Sequence, residues 1–356
     1  MRDVNLGSQE SGTFDTSTSQ RKAEVLGMDR DTLLGLVERI HKAVNHLRVG
    51  LVYDECEVLR PKECLFWLGD QGKREFHRTA RKYDLKHIIQ QASIIGHLNK
   101  FGLHCKNVPV DEKDGKEGKE GKEGRGLSCV ELGAGKGHLG VMVAESKNIN
   151  HLVLVDRGCF NLKADKVLRA KESTTRVQRI VCDLKDFRIE NLKELEERRV
   201  LVVGKHLCGG ATDLALNLSM NDKTKGALDM YGLCIATCCH HRCTWQAYVG
   251  KKQLQALGFT PQEFQLISWM TGWANCGHDV AAASTSGEPQ SEEMEVKVSG
   301  MFPMFSRDER IDAGLACKRL IDLGRLSWLK EKGLDVDYKK YAPLDITGEN
   351  LLLLAK

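Results

Sequence analysis

The 356-residue sequence predicts an α/β fold: a doubly wound, mostly parallel Rossmann-like sheet preceded by an N-terminal helical region. Three observations predict it. Between residues 128 and 257 short apolar runs alternate with helical patterns, the rhythm of repeated βαβ units. The first four runs close on Gly133, Asp156, Asp183 and Gly204, as expected where strands empty into loops at one end of a parallel sheet. The first run also leads directly into a glycine-rich turn, Glu131-Leu132-Gly133-Ala134-Gly135-Lys136-Gly137.

Taken in order, residues 1–27 are rich in Ser, Thr, Gly and Asp and read as a disordered tail. From Asp29 to Arg48 the apolar residues Leu33, Leu36, Val37, Ile40, Val44 and Leu47 recur at helical spacing. A second helix is predicted from about Lys73 to Phe101, with Ile88, Ile89, Ala92, Ile95 and Leu98 as its buried stripe. Together these make a basic, helical region over 28–110. Residues 111–126 repeat Gly-Lys-Glu, contain no packing surface and read as a flexible insert. Over 127–356 strands are expected at Ser128–Leu132, His151–Val155, Val177–Cys182, Val200–Val203 and Gly232–Thr237. Helices are expected at His138–Lys147, Asn161–Lys171, Leu192–Arg198, Thr212–Met220 and Trp245–Leu257. A second flexible insert near 281–295, an amphipathic helix over Arg310–Lys330 and a last strand at Leu351–Ala355 complete the pattern.

Composition narrows the class. Hydrophobic residues make up 41% and charged residues 29%, the balance of an ordinary globular protein. No apolar run approaches the roughly 20 residues that span a bilayer, so no membrane partner is expected. Thirteen cysteines in a chain whose Met1–Glu10 shows no secretory pattern suggest thiols in a reducing cytoplasmic or nuclear compartment. The net charge is +4, yet Arg60–Lys106 carries ten Lys/Arg against four Asp/Glu. Lys73, Arg74, Arg78, Arg81, Lys82 and Lys86 are therefore candidate contacts to a polyanion, with a solvated helix face as the alternative.

The glycine-rich turn allows two spacings. Gly133-x-Gly135-x-Gly137 is one, and Gly135-x-Gly137-x-x-Gly140 satisfies the dinucleotide fingerprint. Asp156, at the end of the second strand, suits ribose hydroxyls in either case. The strand ends at Leu132, which favours the first spacing. Glu131 before it suits the ammonium and sulfonium of S-adenosylmethionine and would repel a pyrophosphate. Asp183 can accept from an adenine amino group. The cofactor expected from Glu131, Gly133, Gly135, Gly137, Asp156 and Asp183 is S-adenosylmethionine, and the combination resembles class I methyltransferases.

Two segments dense in titratable groups follow the fourth and fifth strands, Gly204–Asp213 and Thr237–Trp245. Methyl transfer to a hydroxyl needs alignment and a proton acceptor. Lys205 or His206 can supply the base, the lysine if burial lowers its pKa. Asp213 can orient one of them or cap the next helix. His240 and His241 are second candidates for base or substrate contact, and Arg242 can hold a phosphate. Cys238, Cys239, His240, His241 and Cys243 also raise the question of zinc. Neighbours on one loop cannot all reach one ion and no second Cys-x-x-Cys pair is present, so no metal is expected.

At this point a resemblance becomes specific. It is carried by Lys86-His87, by Gln90-Gln91-Ala92-Ser93-Ile94-Ile95-Gly96, by Glu131–Gly137, by Lys205-His206-Leu207-Cys208-Gly209 and by Cys238–Cys243. Leu320-Ile321-Asp322-x-Gly324-Arg325 and Glu349-Asn350 add to it. Together they resemble the eukaryotic tRNA 2′-O-methyltransferases that modify the fourth nucleotide of the acceptor stem. The resemblance runs over roughly residues 73–355 and implies S-adenosylmethionine as donor, a ribose hydroxyl of tRNA as acceptor and Lys205 with His206 as catalytic pair. Such proteins usually begin with small Cys/His zinc modules that residues 1–55 do not supply, a second reason to expect no zinc. The rival expectations are a cofactor-binding module without turnover, and a related methyltransferase acting on protein or a small molecule.

Overall fold

The computed structural model describes residues 18–51, 55–70, 85–103, 126–160, 164–166, 168, 173–196, 198–275 and 305–356. Its centre is a seven-stranded sheet. The strands are β1 (Leu127–Leu132), β2 (His151–Asp156), β3 (Arg176–Val181), β4 (Arg199–Cys208), β5 (Asp229–Cys238), β6 (Val336–Lys340) and β7 (Leu351–Ala355). Their spatial order is β3-β2-β1-β4-β5-β7-β6. β1 to β5 run parallel, and β7 lies antiparallel between β5 and β6. The order reverses between β1 and β4, so a crevice opens beyond their carboxyl ends.

The central strands β1 and β2 are buried on both faces, which is why they read as unbroken apolar runs. Each face carries its own core. α1 (Thr18–Gly27), α2 (Arg30–Leu47), α6 (Gly210–Met220), α9 (Pro261–Met270) and α10 (Arg307–Glu331) cover one. α3 (Leu65–Leu68), α4 (Leu85–Lys100) and α5 (His138–Lys147) cover the other. The helices expected as one N-terminal region are thus shared between the faces, and Thr18–Gly27, expected as part of a disordered tail, is helical, with Val25 buried in the first core. Leu33, Leu36 and Ile40 of α2 join the core of Val130 and Leu132, whereas Ile88, Ala92 and Ile95 of α4 join that of Cys129 and Leu152.

Local signals explain most boundaries. Asp29 caps α2 through the Thr32 amide, and Ser306 with Glu309 forms a capping box on α10. A second box, Thr260 with Glu263 and Pro261 at the first turn, starts α9, a helix absent from the sequence expectation. Leu192–Arg198 is not an α-helix. Two single 3₁₀ turns, Ile189–Asn191 and Lys193–Leu195, occupy that stretch. The helix expected from Trp245 begins only as α8 (Lys251–Ala256), after α7 (Asp222–Ala227) and β5. Before it, Trp245 and Tyr248 turn inward to stack against Phe264. The helix expected near Asn161–Lys171, the inserts and residues 71–84 fall largely or wholly outside the described residues.

The largest departure lies in β4. The sequence predicts that this strand ends before Gly204, with Lys205 and His206 in a loop, but the strand continues to Cys208. Pairing with β5 survives because of a bulge: Lys205 faces Ala236 and Leu207 faces Thr237, which leaves His206 as the extra residue. In a regular strand Lys205 and Leu207 would share a face. The bulge sends Leu207 into the α6-side core, while Lys205 turns toward α4.

Candidate active site

A cavity of about 390 Å³ lies at the carboxyl ends of β1, β2, β3 and β4. Gly133, Asp156, Arg157, Asp183 and Arg242 give it polar walls, and Leu184, Leu207, Ala211 and Leu214 give it apolar ones. The turn above it needs its glycines. Gly133, Gly135 and Gly137 all adopt positive φ, between 52° and 86°, a region that penalises a Cβ. At Gly133 a Cβ would also sit 2.7 Å from the Leu207 side chain.

Asp156 anchors this turn. Its Oδ2 accepts from the Gly135 amide at 2.8 Å and its Oδ1 from Gly158 at 2.7 Å. A carboxylate has about four acceptor sites, so both oxygens keep capacity for ribose hydroxyls. Asp183 lies on the same wall and accepts from the Lys185 amide. The turn is held from behind by Arg179, which the sequence reading overlooked. Its guanidinium donates to the carbonyls of Gly135 and Lys136 and to Asp165. One of two arginines in a half-exposed third strand gives no sequence signal of that task.

Glu131 is placed differently from the expectation. It is buried and does not line the cavity; its Oε2 accepts from the Gly140 amide at 2.8 Å, bracing the first turn of α5. Burial pushes its carboxyl up to about 8, against the pull of that amide and of the nearby Arg179 and Lys205 charges. A ligand ammonium near the turn would relieve the same burial. The positive-φ glycines, the spare acceptor capacity of Asp156 and the apolar walls suit S-adenosylmethionine.

Lys205 is only 6% exposed. Its Nζ lies 3.3 Å from Nδ1 of His87 on α4. Burial lowers its pKa to about 8, with Glu131 and Cys238 pulling the other way. His87 belonged to the resemblance but was not singled out as a site residue; only the strand-to-helix packing across 118 positions brings it in. His206 is on β4, one residue on. Lys86 is exposed on α4, while Lys73, Arg74, Arg78, Arg81 and Lys82 fall outside the described residues.

Asp213 and His240 go elsewhere. Asp213 is fully buried beneath the α6 start and forms a two-point pair with Arg325 at 3.0 and 2.6 Å. The cap of α6 is Gly209, so Asp213 is not its N-cap. Arg325 also donates to Asp322 at 2.8 Å and to the Gly209 carbonyl at 3.2 Å. Asp322 in turn accepts from Thr237 and Tyr338 and lies 2.9 Å from Nε2 of His240. Burial opposes the charge of Asp322, but His240, Arg325 and Tyr338 together hold its carboxyl well below the usual range. This network, contributed by α6, β5, α10 and β6, fixes the two segments that follow β4 and β5. It faces the core, whereas Arg242 reaches the cavity.

A seven-stranded sheet ordered 3-2-1-4-5-7-6, a glycine turn after β1 and a carboxylate closing β2 define a class I methyltransferase domain. The chain belongs, more particularly, to the family described as Methyltransferase TRM13, whose model matches residues 89–356. A mouse relative named tRNA:m(4)X modification enzyme TRM13 homolog is 30% identical over 330 residues, covering 76% of this chain. The Schizosaccharomyces pombe relative, named tRNA:m(4)X modification enzyme TRM13, is 31% identical over 283 residues, 76% of this chain and 67% of its own length. This chain spans 64% of the mouse relative's length and 53% of a Dictyostelium discoideum one. A solved coclaurine N-methyltransferase bound to N-methylheliamine and SAH superposes over 95% of this chain and 92% of its own. At 13% identity and a TM-score of 0.32, it adds nothing to the topology argument.

Proposed function

We propose that this chain transfers the methyl group of S-adenosylmethionine to a ribose 2′-hydroxyl of tRNA, at the fourth nucleotide of the acceptor stem, in the cytoplasm or nucleus. The relatives' names, which speak of tRNA modification and m(4)X, support the substrate. The residues around β4 support the chemistry. The cofactor supplies a methyl group on sulfonium, which leaves a neutral thioether behind. The chain has to hold the hydroxyl in line with that methyl and take its proton.

The observation that carries this reading is Lys205: buried, lowered to about 8 and held 3.3 Å from His87. At pH 7 about a tenth of such a lysine is neutral, against roughly one in 2,500 for an ordinary lysine near 10.4. A neutral Nζ accepts the ribose proton as the oxygen attacks, and His87 orients it. The acceptor ribose sits over the end of β4, between the cavity and Lys205. Arg242 at the cavity rim and the basic residues Lys73, Arg74, Arg78, Arg81, Lys82 and Lys86 meet phosphates.

Lys205→Met tests the assignment, since it keeps most of the side chain's bulk and removes the base. Single-turnover transfer to tRNA should fall by at least about a hundredfold, the lower end of the range for general-base loss. Cofactor and tRNA binding should stay near wild type. A variant that methylates at the wild-type rate shows that the proton leaves by another route.

A further inference from the structure

The parallel pairing of β4 with β5 sets Cys208 beside Cys238, and Cys239 follows at once. Their three Sγ atoms lie within 4.8 Å of one another, with Cys208 and Cys238 at 3.8 Å. From sequence no zinc is expected, because Cys238 and Cys239 with their own loop neighbours cannot all reach one ion. Cys243 instead points to Arg325, and His240 to Asp322. The third thiol comes from the neighbouring strand.

We infer that Cys208, Cys238 and Cys239 form a mononuclear thiolate site for a zinc ion, with the fourth position open toward the cofactor cavity. The spacing suits one ion. Sulfurs about 2.3 Å from a tetrahedral zinc lie about 3.8 Å apart, so Cys208 and Cys238 need no rearrangement. Iron–sulfur clusters hold several irons between their cysteines, and this group is too tight for that.

The frame around the thiols is rigid. The Gly209 amide donates to the Cys238 carbonyl at 3.1 Å, tying the two segments together directly after the ligands. Cys239 adopts φ +49°, unusual for a residue with a side chain, and the Arg242 amide donates to its carbonyl at 2.9 Å. Gly209 packs so closely on Arg242 that a Cβ would sit 2.5 Å from its backbone. Arg325 then clamps the Gly209 carbonyl from the core.

Among the described residues no fourth Cys, His, Asp or Glu joins the three thiols. Glu349 is engaged by Lys318 at 3.1 Å. Cys208 lines the cavity. Three protein ligands and one free position are the arrangement of zinc sites that meet a ligand, whereas purely structural sites close all four. Three thiolates on one Zn²⁺ leave a single negative charge, and Arg242 shares the cavity wall with Cys208 to balance it. Binding releases the thiol protons, so affinity rises with pH.

The test is metal content and does not depend on methyl transfer. The full chain, without a polyhistidine tag, is purified under reducing conditions, loaded with Zn²⁺, desalted and measured by elemental analysis. About one zinc per chain is expected, falling to near zero in Cys208→Ser and in Cys238→Ser. It should be unchanged in Cys159→Ser, an exposed cysteine that is not one of the three. Co²⁺ titration of the wild-type chain gives a second reading that needs no variant: a thiolate-to-cobalt charge-transfer band should appear and be displaced by Zn²⁺. Apoprotein that takes up no zinc, zinc that persists in the serine variants, or bound cobalt without that band each overturns the inference.

Discussion

Replacing Arg325 by Met should unfold the site before it touches the chemistry. In the native chain Arg325, Asp213 and Asp322 are all at 0% exposure. The substitution strands two buried carboxylates unequally. Asp322 keeps Thr237, Tyr338 and His240, whereas Asp213 keeps, among the described residues, the Val249 amide at 3.2 Å. Removing one partner from a buried pair costs about 3–5 kcal/mol. Each kcal/mol shifts the melting temperature of a domain of this size by about 2–4 °C, so the expected drop is roughly 6–20 °C. Thermal denaturation followed by circular dichroism reads this directly. The double variant Arg325→Met with Asp213→Leu should recover part of the loss, because an apolar pair leaves no stranded charge. A drop under about 2 °C, or a double variant as unstable as the sum of the singles, would refute the view that this pair holds the segments after β4 and β5.

Two further outcomes follow from the cofactor wall and the lysine. Asp156→Ala removes the acceptor for Gly135, Gly158 and the expected ribose hydroxyls; hydrogen bonds to a charged group contribute about 1.5–3 kcal/mol, so calorimetric affinity for S-adenosylmethionine should fall ten- to a hundredfold, and unchanged affinity would remove Asp156 from the site. The pH profile follows from the lowered pKa of Lys205: the reactive form is neutral, so the single-turnover rate should climb tenfold per pH unit below about 8 and level off above it. A rate that is flat across pH 6–9 or falls as pH rises would contradict a lysine base.

How much of this was legible in the sequence depended on the range of the signal. β1 and β2 were readable because a strand buried on both faces is an unbroken apolar run, and the glycine turn because only glycine tolerates three positive φ values so close together. The end of β4 was not. Gly204, Lys205 and His206 carry no strand pattern, and a bulge that preserves pairing leaves no mark in composition. β6 was missed for a related reason: Val-Asp-Tyr-Lys-Lys is a short, charged edge strand. The Thr260–Glu263 capping box was readable and overlooked. The partnerships that shape the site span the chain, Lys205 with His87, Asp213 with Arg325, Cys208 with Cys238 and Cys239. One sequence shows each residue and not its partner, so Asp213 and His240 read as catalytic candidates while the structure turns both toward Asp322 and Arg325.

The most direct measurement is the position of the transferred methyl group. The chain is incubated with tRNA and isotopically labelled S-adenosylmethionine, and the product is digested to fragments for mass spectrometry. One label per tRNA is expected, on the ribose of nucleotide 4 and resistant to alkaline cleavage at the following phosphate. Label on a base, label at another nucleotide, or labelled protein without labelled tRNA would contradict it.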